Sequence, residues 1–250
     1  MPLYIQTEFT PNAVQPIVCL TEAWDTIKDQ YWLFVGISLV ALLIGNLAPL
    51  GILMAPMMCG VYLAIFQRMR GQRVEFDALF KGFDYFGDSL IAMLIHLIPV
   101  VIVLMSFCAI FVFAGILMAP QSSGGEPDPA RVGSLIILIA VLALVMVVTL
   151  IAVGVIFTFA FPLIVERKMT GIEAVKLSMK AGLANFWGLL GLLLLNALLG
   201  MVGALFCYVG AILFLPLSFT ATACAYRQVF GLGPVPSRSP YPPPPPGSFV

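Results

Sequence analysis

Four long stretches of this chain contain no charged residue, and they constrain the fold more than any other feature. They run from Tyr31 to Phe66, Ser89 to Ala119, Val132 to Val165 and Phe186 to Tyr226. Hydrophobic residues make up 61% of the 250 residues and charged residues only 10%. A soluble domain of this size could not bury so much apolar surface, whereas a bilayer accepts it. We therefore expect an integral membrane protein.

The lengths of these stretches predict how often the chain crosses the bilayer. A helix rises about 1.5 Å per residue and the hydrocarbon is about 30 Å thick, so about 20 apolar residues make one crossing. The first and last stretches each suffice for two crossings, and each middle stretch fits one long, tilted helix. The sequence thus predicts an all-α, polytopic membrane bundle of six transmembrane helices, at about residues 31–46, 50–66, 89–118, 133–165, 186–202 and 207–226.

The six-span domain is predicted to cover residues 17–231, after an N-terminal cytoplasmic segment at residues 1–16. Pro99 and Pro162 lie within predicted spans and predict kinks, because proline removes a backbone donor.

The lysines and arginines test this count independently, because basic residues near span ends favour the cytoplasmic side. With six spans, every basic residue except Arg131 falls on one face. We therefore expect a multi-pass protein of the cell's inner (cytoplasmic) membrane with both termini in the cytoplasm. The N-terminus lacks the basic start and compact apolar core of a secretory signal, so no cleavage is expected.

A short segment before each predicted hairpin combines apolar and charged residues at helical spacing, which is typical of amphipathic helices at the level of the lipid headgroups. The apolar stripes are Ile17, Leu20, Trp24, Ile27 and Tyr31; Phe76, Leu79, Phe80 and Phe83; and Ile172, Val175, Met179 and Leu183. Before the third stripe, Thr170 and Glu173 match a capping box, so a helix should begin at Gly171.

These segments suggest an internal repeat. Each contains an acidic residue followed by alanine, reaches an aromatic pair at the membrane boundary and leads into two crossings. The pattern favours three repeats of an interfacial helix plus a transmembrane hairpin. The alternative is that any multispan protein repeats amphipathic cytoplasmic joins.

Three segments carry a recognisable arrangement: RMRGQRVEFDALFKGF, FAFPLIVERKMTGIEAVKLSMKAGLANFWGLLGLLLLNALLG and AYRQVFG. In order, they place Pro-Leu-Ile before a short basic turn, a small amphipathic helix, an aromatic-Trp pair and a Gly/Leu-rich span. The arrangement resembles a broad group of uncharacterised bacterial six-span membrane proteins, including the membrane domain that accompanies some glycerophosphodiester phosphodiesterases. The resemblance covers about residues 20–231 and implies a shared fold, but no shared activity.

Composition argues against several functions. The net charge is zero, so no basic surface for nucleic acid is expected. The five cysteines lack ligand spacing, which argues against a metal site, and we expect no cofactor. The sole histidine has no nearby nucleophile or carboxylate in sequence, so no catalytic residues are predicted and an enzyme is not expected.

His96 and Asn196 are the candidates for a polar site inside the membrane. Buried ionisable groups often mark transport pathways, so His96 could accept a proton or bind a ligand. In the alternative interpretation it hydrogen-bonds a neighbouring carbonyl near the cytoplasmic boundary, and Asn196 hydrogen-bonds across helices.

Basic residues below the second and fourth spans are candidates for contact with anionic lipid headgroups, although topology alone would also place them there. They are Arg68, Arg70, Arg73, Arg167 and Lys168. Beyond them, residues 232–250 are predicted to form a disordered proline-rich cytoplasmic tail, with a docking ligand for a proline-reading domain as the alternative.

Two functions remain after these exclusions. The first is a non-enzymatic scaffold or accessory subunit that contacts membrane lipids and a membrane or cytoplasmic partner protein at the cytoplasmic face. The second is a small-solute permease or lipid-handling transporter. Self-association into a homo-oligomer is compatible with both.

Overall fold

The computed structural model describes residues 8–47, 51–118, 129–205 and 209–232. These ranges contain helices and no strand, which confirms the all-helical class. The α-helices are α1 (Pro16–Ile27), α2 (Tyr31–Gly45), α3 (Met54–Met69), α4 (Phe86–Met118), α5 (Pro129–Phe157), α6 (Ala160–Arg167), α7 (Gly171–Ala184), α8 (Phe186–Leu205) and α9 (Val209–Phe230). The 3₁₀ helices Lys28–Gln30 and Phe76–Tyr85 lead into α2 and α4. The predicted tail, apart from Leu232, lies outside the described residues.

Within the described ranges, four helical stretches are long and apolar enough to cross a membrane. They are Pro16–Gly45, Phe76–Phe113, Gly133–Arg167 and Phe186–Leu205. These apolar helices are consistent with a membrane protein. The other two predicted spans coincide with α3, of 16 residues, and α9, of 22 residues. The count of six crossings stays a prediction.

The hairpin of α4 and α5 is much longer than its neighbours. Helix α4 has 33 residues and α3 has 16, which correspond to about 50 Å and about 24 Å of helix. We call residues 101–116 of α4 and 133–150 of α5 the outer hairpin. Its large side chains are exposed, as Met105 (66%), Phe113 (61%) and Val148 (58%) show. The outer hairpin therefore contributes little to the protein core.

The fourth predicted span is not one continuous helix. Helix α5 ends at Phe157 and α6 begins at Ala160, two residues before Pro162. Proline cannot donate to the carbonyl four residues earlier, which accounts for the interruption. The stretch Gly133–Arg167 still counts as one candidate span, as predicted. Ser178 of α7 bridges the break, because its hydroxyl donates to the Ile156 carbonyl (2.6 Å) and accepts from the Phe159 N–H (3.1 Å).

Each short segment packs mainly against the helices of the unit before it. Helix α1 lies against α9, the 3₁₀ helix Phe76–Tyr85 lies against α3, and α7 lies against α4, α5 and α6. The arrangement is cyclic, because the first segment contacts the last hairpin.

The buried faces of these segments are narrower than the predicted apolar stripes. The stripes are divided: Ile27, Leu79 and Val175 are buried, whereas most of the larger side chains point outward. Small residues supply most of the remaining contact, including Cys19, Ala23, Ala78, Gly82, Ala174, Ser178 and Ala181. The exposed residues are Ile17, Trp24, Phe76, Phe80, Phe83, Ile172, Met179 and Leu183. The division has a physical cause: small side chains permit close approach between helices, which large ones would prevent.

The crossing of Phe76–Tyr85 over α3 requires two glycines. A Cβ atom added at Gly60 would lie 1.9 Å from the carbonyl oxygen of Leu79. One added at Gly82 would lie 2.1 Å from the carbonyl oxygen of Pro56. Both distances are far below van der Waals contact, so a larger residue at either position would push the two helices apart.

The N-terminus of α7 is hydrogen-bonded to a residue of α4. The helix begins at Gly171, which confirms the predicted boundary, and the Gly171 N–H donates to Asp88 Oδ1 of α4 at 3.1 Å. The Thr170 hydroxyl donates to Glu173 Oε2 at 2.9 Å and makes no hydrogen bond to the backbone of the helix, so the predicted capping box does not form. A negatively charged carboxylate at a helix N-terminus also interacts favourably with the positive end of the helix dipole.

Candidate functional site

His96 and Asn196, from different hairpins, line one cavity of about 280 Å³. The lining side chains come from α3, α4, both sides of the α5–α6 break, α8 and α9. They are Tyr62, His96, Gly154, Phe157, Thr158, Phe161, Leu193, Asn196, Ser218, Phe219 and Thr222. Such a volume holds several water molecules or one small organic molecule.

Two of the residues that line this cavity each have a polar side-chain atom that is buried and has no hydrogen-bond partner in the described part of the protein. They are His96 Nδ1 and Asn196 Oδ1. Buried polar groups are nearly always hydrogen-bonded, because leaving one unsatisfied costs about 1–3 kcal/mol. The His96 ring meets the Phe157 ring edge to face, with centroids 4.6 Å apart, and this contact supplies no hydrogen bond to Nδ1. The carbonyl bond expected for His96 in the alternative interpretation is therefore absent at Nδ1.

Other polar groups of the region are engaged. The Thr158 hydroxyl donates to the Gly154 carbonyl (2.7 Å), and the Thr222 hydroxyl donates to the Ser218 carbonyl (3.1 Å). Asn185, near the start of α8, binds the Ala13 N–H and the Thr10 carbonyl and is fully buried. Asn185 is thus a structural link, in contrast to Asn196.

The break between α5 and α6 lies at the cavity. Phe157 ends α5, Thr158 lies in the break, and both line the cavity. Irregular backbone inside a bilayer is tolerated where it is buried in protein or borders a water-filled space. Discontinuous helices of this kind build the substrate sites of several transporter folds.

An aromatic layer lies next to the cavity on the side where α3, α6 and α9 end. We define it as Phe66, Phe159, Tyr226 and Phe230. Phe66 and Tyr226 lie with ring centroids 5.4 Å apart, Phe159 and Phe230 5.5 Å apart, and Tyr226 and Phe230 4.9 Å apart. The first three side chains are fully buried.

Ion pairs lie one turn beyond the aromatic layer. On α3, Tyr62, Phe66 and Arg70 are four residues apart, so they occupy successive turns of one face. Arg70, at the end of α3, pairs with Glu166 of α6, and the two side chains are 14% and 3% exposed. The order along the bundle is therefore cavity, aromatic layer, ion pair.

Further contacts tie the helix ends together. Arg167 donates to the Phe230 carbonyl (3.1 Å), and its guanidinium lies 5.0 Å above the Phe230 ring. Arg68 pairs with Asp29 at 2.5 Å, and Arg227 pairs with Glu22 at 2.7 Å.

These contacts show which of the five residues predicted to contact lipid headgroups are bound to other groups of the protein. Arg68, Arg70 and Arg167 are committed to other groups of the protein. Arg73 and Lys168 are exposed. Headgroup contact stays a prediction, and Arg73 and Lys168 are the side chains placed to make it.

Sequence reasoning missed the ion pair Arg70–Glu166 and the hydroxyl residues Thr158, Ser218 and Thr222. The signal for the second group was present, because hydroxyl residues within spans often face a cavity or another helix. Among the described residues no group of three or more His, Cys, Asp or Glu side chains could hold a metal ion.

No family model matches the chain, and neither a curated protein nor a solved structure is significantly similar to it. The family resemblance therefore stays an expectation, and the cavity is the feature from which we infer a function.

Proposed function

We propose that this protein is a six-span membrane protein of the permease or lipid-handling class, and that it binds a small ligand in the cavity around His96 and Asn196. The observation that carries the proposal is a cavity between apolar helices that brings together His96 and Asn196, two polar residues from different hairpins, each with a buried polar atom that lacks a partner among the described residues. A helical bundle that served only as a scaffold would gain stability by filling this space with apolar side chains.

The proposal includes a topology. Six helices cross the inner membrane, the three short segments lie at the cytoplasmic face, and the chain is a threefold repeat. The cyclic contacts support the repeat, since each short segment meets the preceding hairpin through small residues. The outward apolar residues, such as Trp24, Phe80 and Ile172, support a position at the bilayer boundary, where lipid can cover them.

The aromatic layer and the ion pair Arg70–Glu166 support alternating access. They lie between the cavity and the predicted cytoplasmic face, so we expect a ligand to pass on that side only if these contacts open. Helices that are joined by a few ion pairs can adopt two discrete arrangements, because the ion pairs can break and form again elsewhere.

Cysteine labelling tests whether water reaches the cavity. In a variant whose native cysteines are replaced, Asn196→Cys should react with a small, charged methanethiosulfonate reagent in membrane vesicles. Two positions on the same helix serve as controls: Leu192→Cys, buried outside the cavity, and Leu198→Cys, on the exposed apolar face. Both should label much more slowly. Equal and slow labelling at all three positions would show a sealed bundle and contradict the proposal.

The scaffold remains a second candidate because of the outward apolar faces. Phe76, Phe80 and Phe83 are 37–47% exposed on one short segment, where lipid or a partner protein could cover them. A photoreactive residue at Phe80 tests this directly in intact membranes. A discrete protein adduct would support a partner, whereas adducts with lipid alone would leave the cavity as the functional site.

A further inference from the structure

We infer that the outward face of α7 binds anionic phospholipids, and that the other two short segments do not share this preference. The inference rests on the topology in the proposed function, in which all three segments lie at the cytoplasmic surface of the bilayer. It adds the chemistry of one partner, a lipid with a negatively charged phosphate headgroup, and the side of the bundle on which that lipid binds.

The outward face of α7 combines apolar and basic side chains. Ile172, Met179 and Leu183 are 50%, 41% and 58% exposed. Lys176 and Lys180 are exposed as well, and each lies three or four residues from one of these apolar residues, so all five side chains share one side of the helix. Basic amphipathic helices at a bilayer surface insert their apolar side chains, while the long lysine side chains reach the phosphates.

The lysines of α7 are not neutralised by the protein. Among the described residues, neither Lys176 nor Lys180 forms an ion pair. The single carboxylate of α7, Glu173, accepts a hydrogen bond from a threonine hydroxyl at the start of the helix. Lys168, three residues before the helix, is also exposed. The outward face of α7 therefore carries a net positive charge.

The other two short segments compensate their basic residues internally. In the segment before α2, Lys28 pairs with Asp25 at 2.8 Å, and in the segment before α4, Lys81 pairs with Asp77 at 2.9 Å. Both segments contain more carboxylates than lysines, whereas α7 contains two lysines and one carboxylate. Charge complementarity therefore selects α7 for an anionic partner.

The apolar side chains of α7 indicate that this anion belongs to a lipid. A soluble anion would leave Ile172, Met179 and Leu183 in water, whereas a phospholipid covers them with its acyl chains. Trp187, the second residue of α8, is 78% exposed, and indole rings are favoured at the headgroup level. Lysines and tryptophan thus mark one lipid position beside α7.

The opposite face of α7 reaches the wall of the cavity. Its Ser178 hydroxyl donates to the Ile156 carbonyl and accepts from the Phe159 N–H, on the two sides of the α5–α6 break. Thr158, inside this break, lines the cavity. The lipid site and the support of the cavity wall therefore share one helix.

Two tryptophans allow a matched test with the full-length protein. Trp187 follows α7, and Trp32 follows the segment before α2; each is the second residue of its helix, and they are 78% and 74% exposed. Two single-tryptophan variants keep one of these reporters and replace the other tryptophans by phenylalanine. Each variant is reconstituted in mixtures of phosphatidylglycerol and phosphatidylcholine in which one lipid is dibrominated. Fluorescence quenching then measures the relative affinity of the two lipids beside each reporter.

Phosphatidylglycerol should bind about fivefold more tightly than phosphatidylcholine beside Trp187, since one basic residue at a bilayer surface contributes about this factor. The two lipids should bind about equally beside Trp32. Lys176→Gln/Lys180→Gln should bring the ratio at Trp187 close to one. Salt at about 1 M should weaken the preference, because it shortens the Debye length to about 3 Å. The control Lys81→Gln removes an exposed lysine of another segment and should leave the ratio at Trp187 unchanged.

The outcomes separate this inference from the proposed function. Equal affinities beside Trp187 overturn the inference and leave a soluble anion or an acidic protein as the partner of the lysines. An equal preference beside Trp32, or a preference that survives Lys176→Gln/Lys180→Gln, also overturns it. In these cases the proposed topology stands, because brominated lipid still reaches the segments. If brominated lipid quenches neither tryptophan, the segments lie away from the bilayer and the topology in the proposed function fails as well.

Discussion

Two regions of this protein are built on different physical principles. Where α3, α6 and α9 end, a buried ion pair and packed aromatic rings fix the helices relative to one another. We call this the closed end, and close glycine contacts attach the 3₁₀ helix Phe76–Tyr85 to the same helix α3. The outer hairpin has exposed side chains along most of its length.

The difference teaches where specificity is encoded in a membrane bundle. Lipid tails are as apolar as leucine, so burying an apolar side chain between helices brings little gain there. The closed end relies on hydrogen bonds, charge and exact fit, which single substitutions can break. The outer hairpin relies on an apolar surface of sufficient length, which tolerates exchange. Matched substitutions in the two regions should therefore differ sharply.

The largest effect is expected from loss of the buried ion pair. Arg70→Leu leaves the Glu166 carboxylate, 3% exposed, without the guanidinium of residue 70. Removing one partner of a buried pair costs about 3–5 kcal/mol. The unfolding temperature of the detergent-solubilised protein should fall by about 10 °C.

The control for this variant is an exposed pair on the 3₁₀ helix Phe76–Tyr85. Lys81 and Asp77 pair at 2.9 Å with side chains that are 54% and 59% exposed. Lys81→Leu should change stability by less than about 1 kcal/mol. Removing both buried charges in Arg70→Leu/Glu166→Leu should recover part of the loss. Equal losses for Arg70→Leu and Lys81→Leu would contradict the distinction between buried and exposed pairs.

A somewhat smaller effect is expected at the glycine crossing. Gly60→Ala places a methyl group against the Leu79 carbonyl and should cost about 1–3 kcal/mol, because neighbouring backbone must move. Gly115→Ala in the outer hairpin meets nothing within 4 Å and should be neutral or slightly stabilising. Thermal unfolding of the two variants in one detergent provides the measurement, and a Gly115→Ala loss as large as that of Gly60→Ala would sink the comparison.

Next in size is the serine that bridges the α5–α6 break. Ser178→Ala leaves the Phe159 N–H and the Ile156 carbonyl without the hydroxyl, and should cost about 1–2 kcal/mol. Its counterpart in the outer hairpin is Ser106, whose hydroxyl donates only to the Ile102 carbonyl of its own helix. Ser106→Ala should be neutral. Hydrogen exchange at Phe159 should increase in Ser178→Ala alone, and unchanged exchange would show that the bridge is dispensable.

The sequence predicted the helices well, because apolar runs, prolines and aromatic pairs act locally. The interruption before Pro162 follows from local backbone chemistry. The start of α7 at Gly171 was predicted correctly, although the expected capping box does not form and Asp88 of α4 binds the Gly171 N–H instead. The two-residue interruption itself was not predicted, since it is stabilised by Ser178, a residue of another helix.

The site was predicted only as separate residues. His96 and Asn196 were selected because polar groups in apolar spans are costly. Their meeting in one cavity depends on how α4 and α8 pack, which no local pattern encodes. The pair Arg70–Glu166 was missed for the same reason, because its partners lie on helices from different hairpins.

The smallest effect offers the sharpest comparison, because it uses one substitution on one helix. Val155 and Val148 both belong to α5; Val155 is fully buried in the protein core, and Val148 is 58% exposed in the outer hairpin. Val155→Ala should cost about 1 kcal/mol through lost van der Waals contact, and Val148→Ala should be near zero, since lipid or detergent replaces the lost methyl groups. Each variant is unfolded in mixed micelles under identical conditions. If Val148→Ala costs as much as Val155→Ala, the outer hairpin is covered by protein in the micelle, and self-association through that hairpin would become the first matter to test.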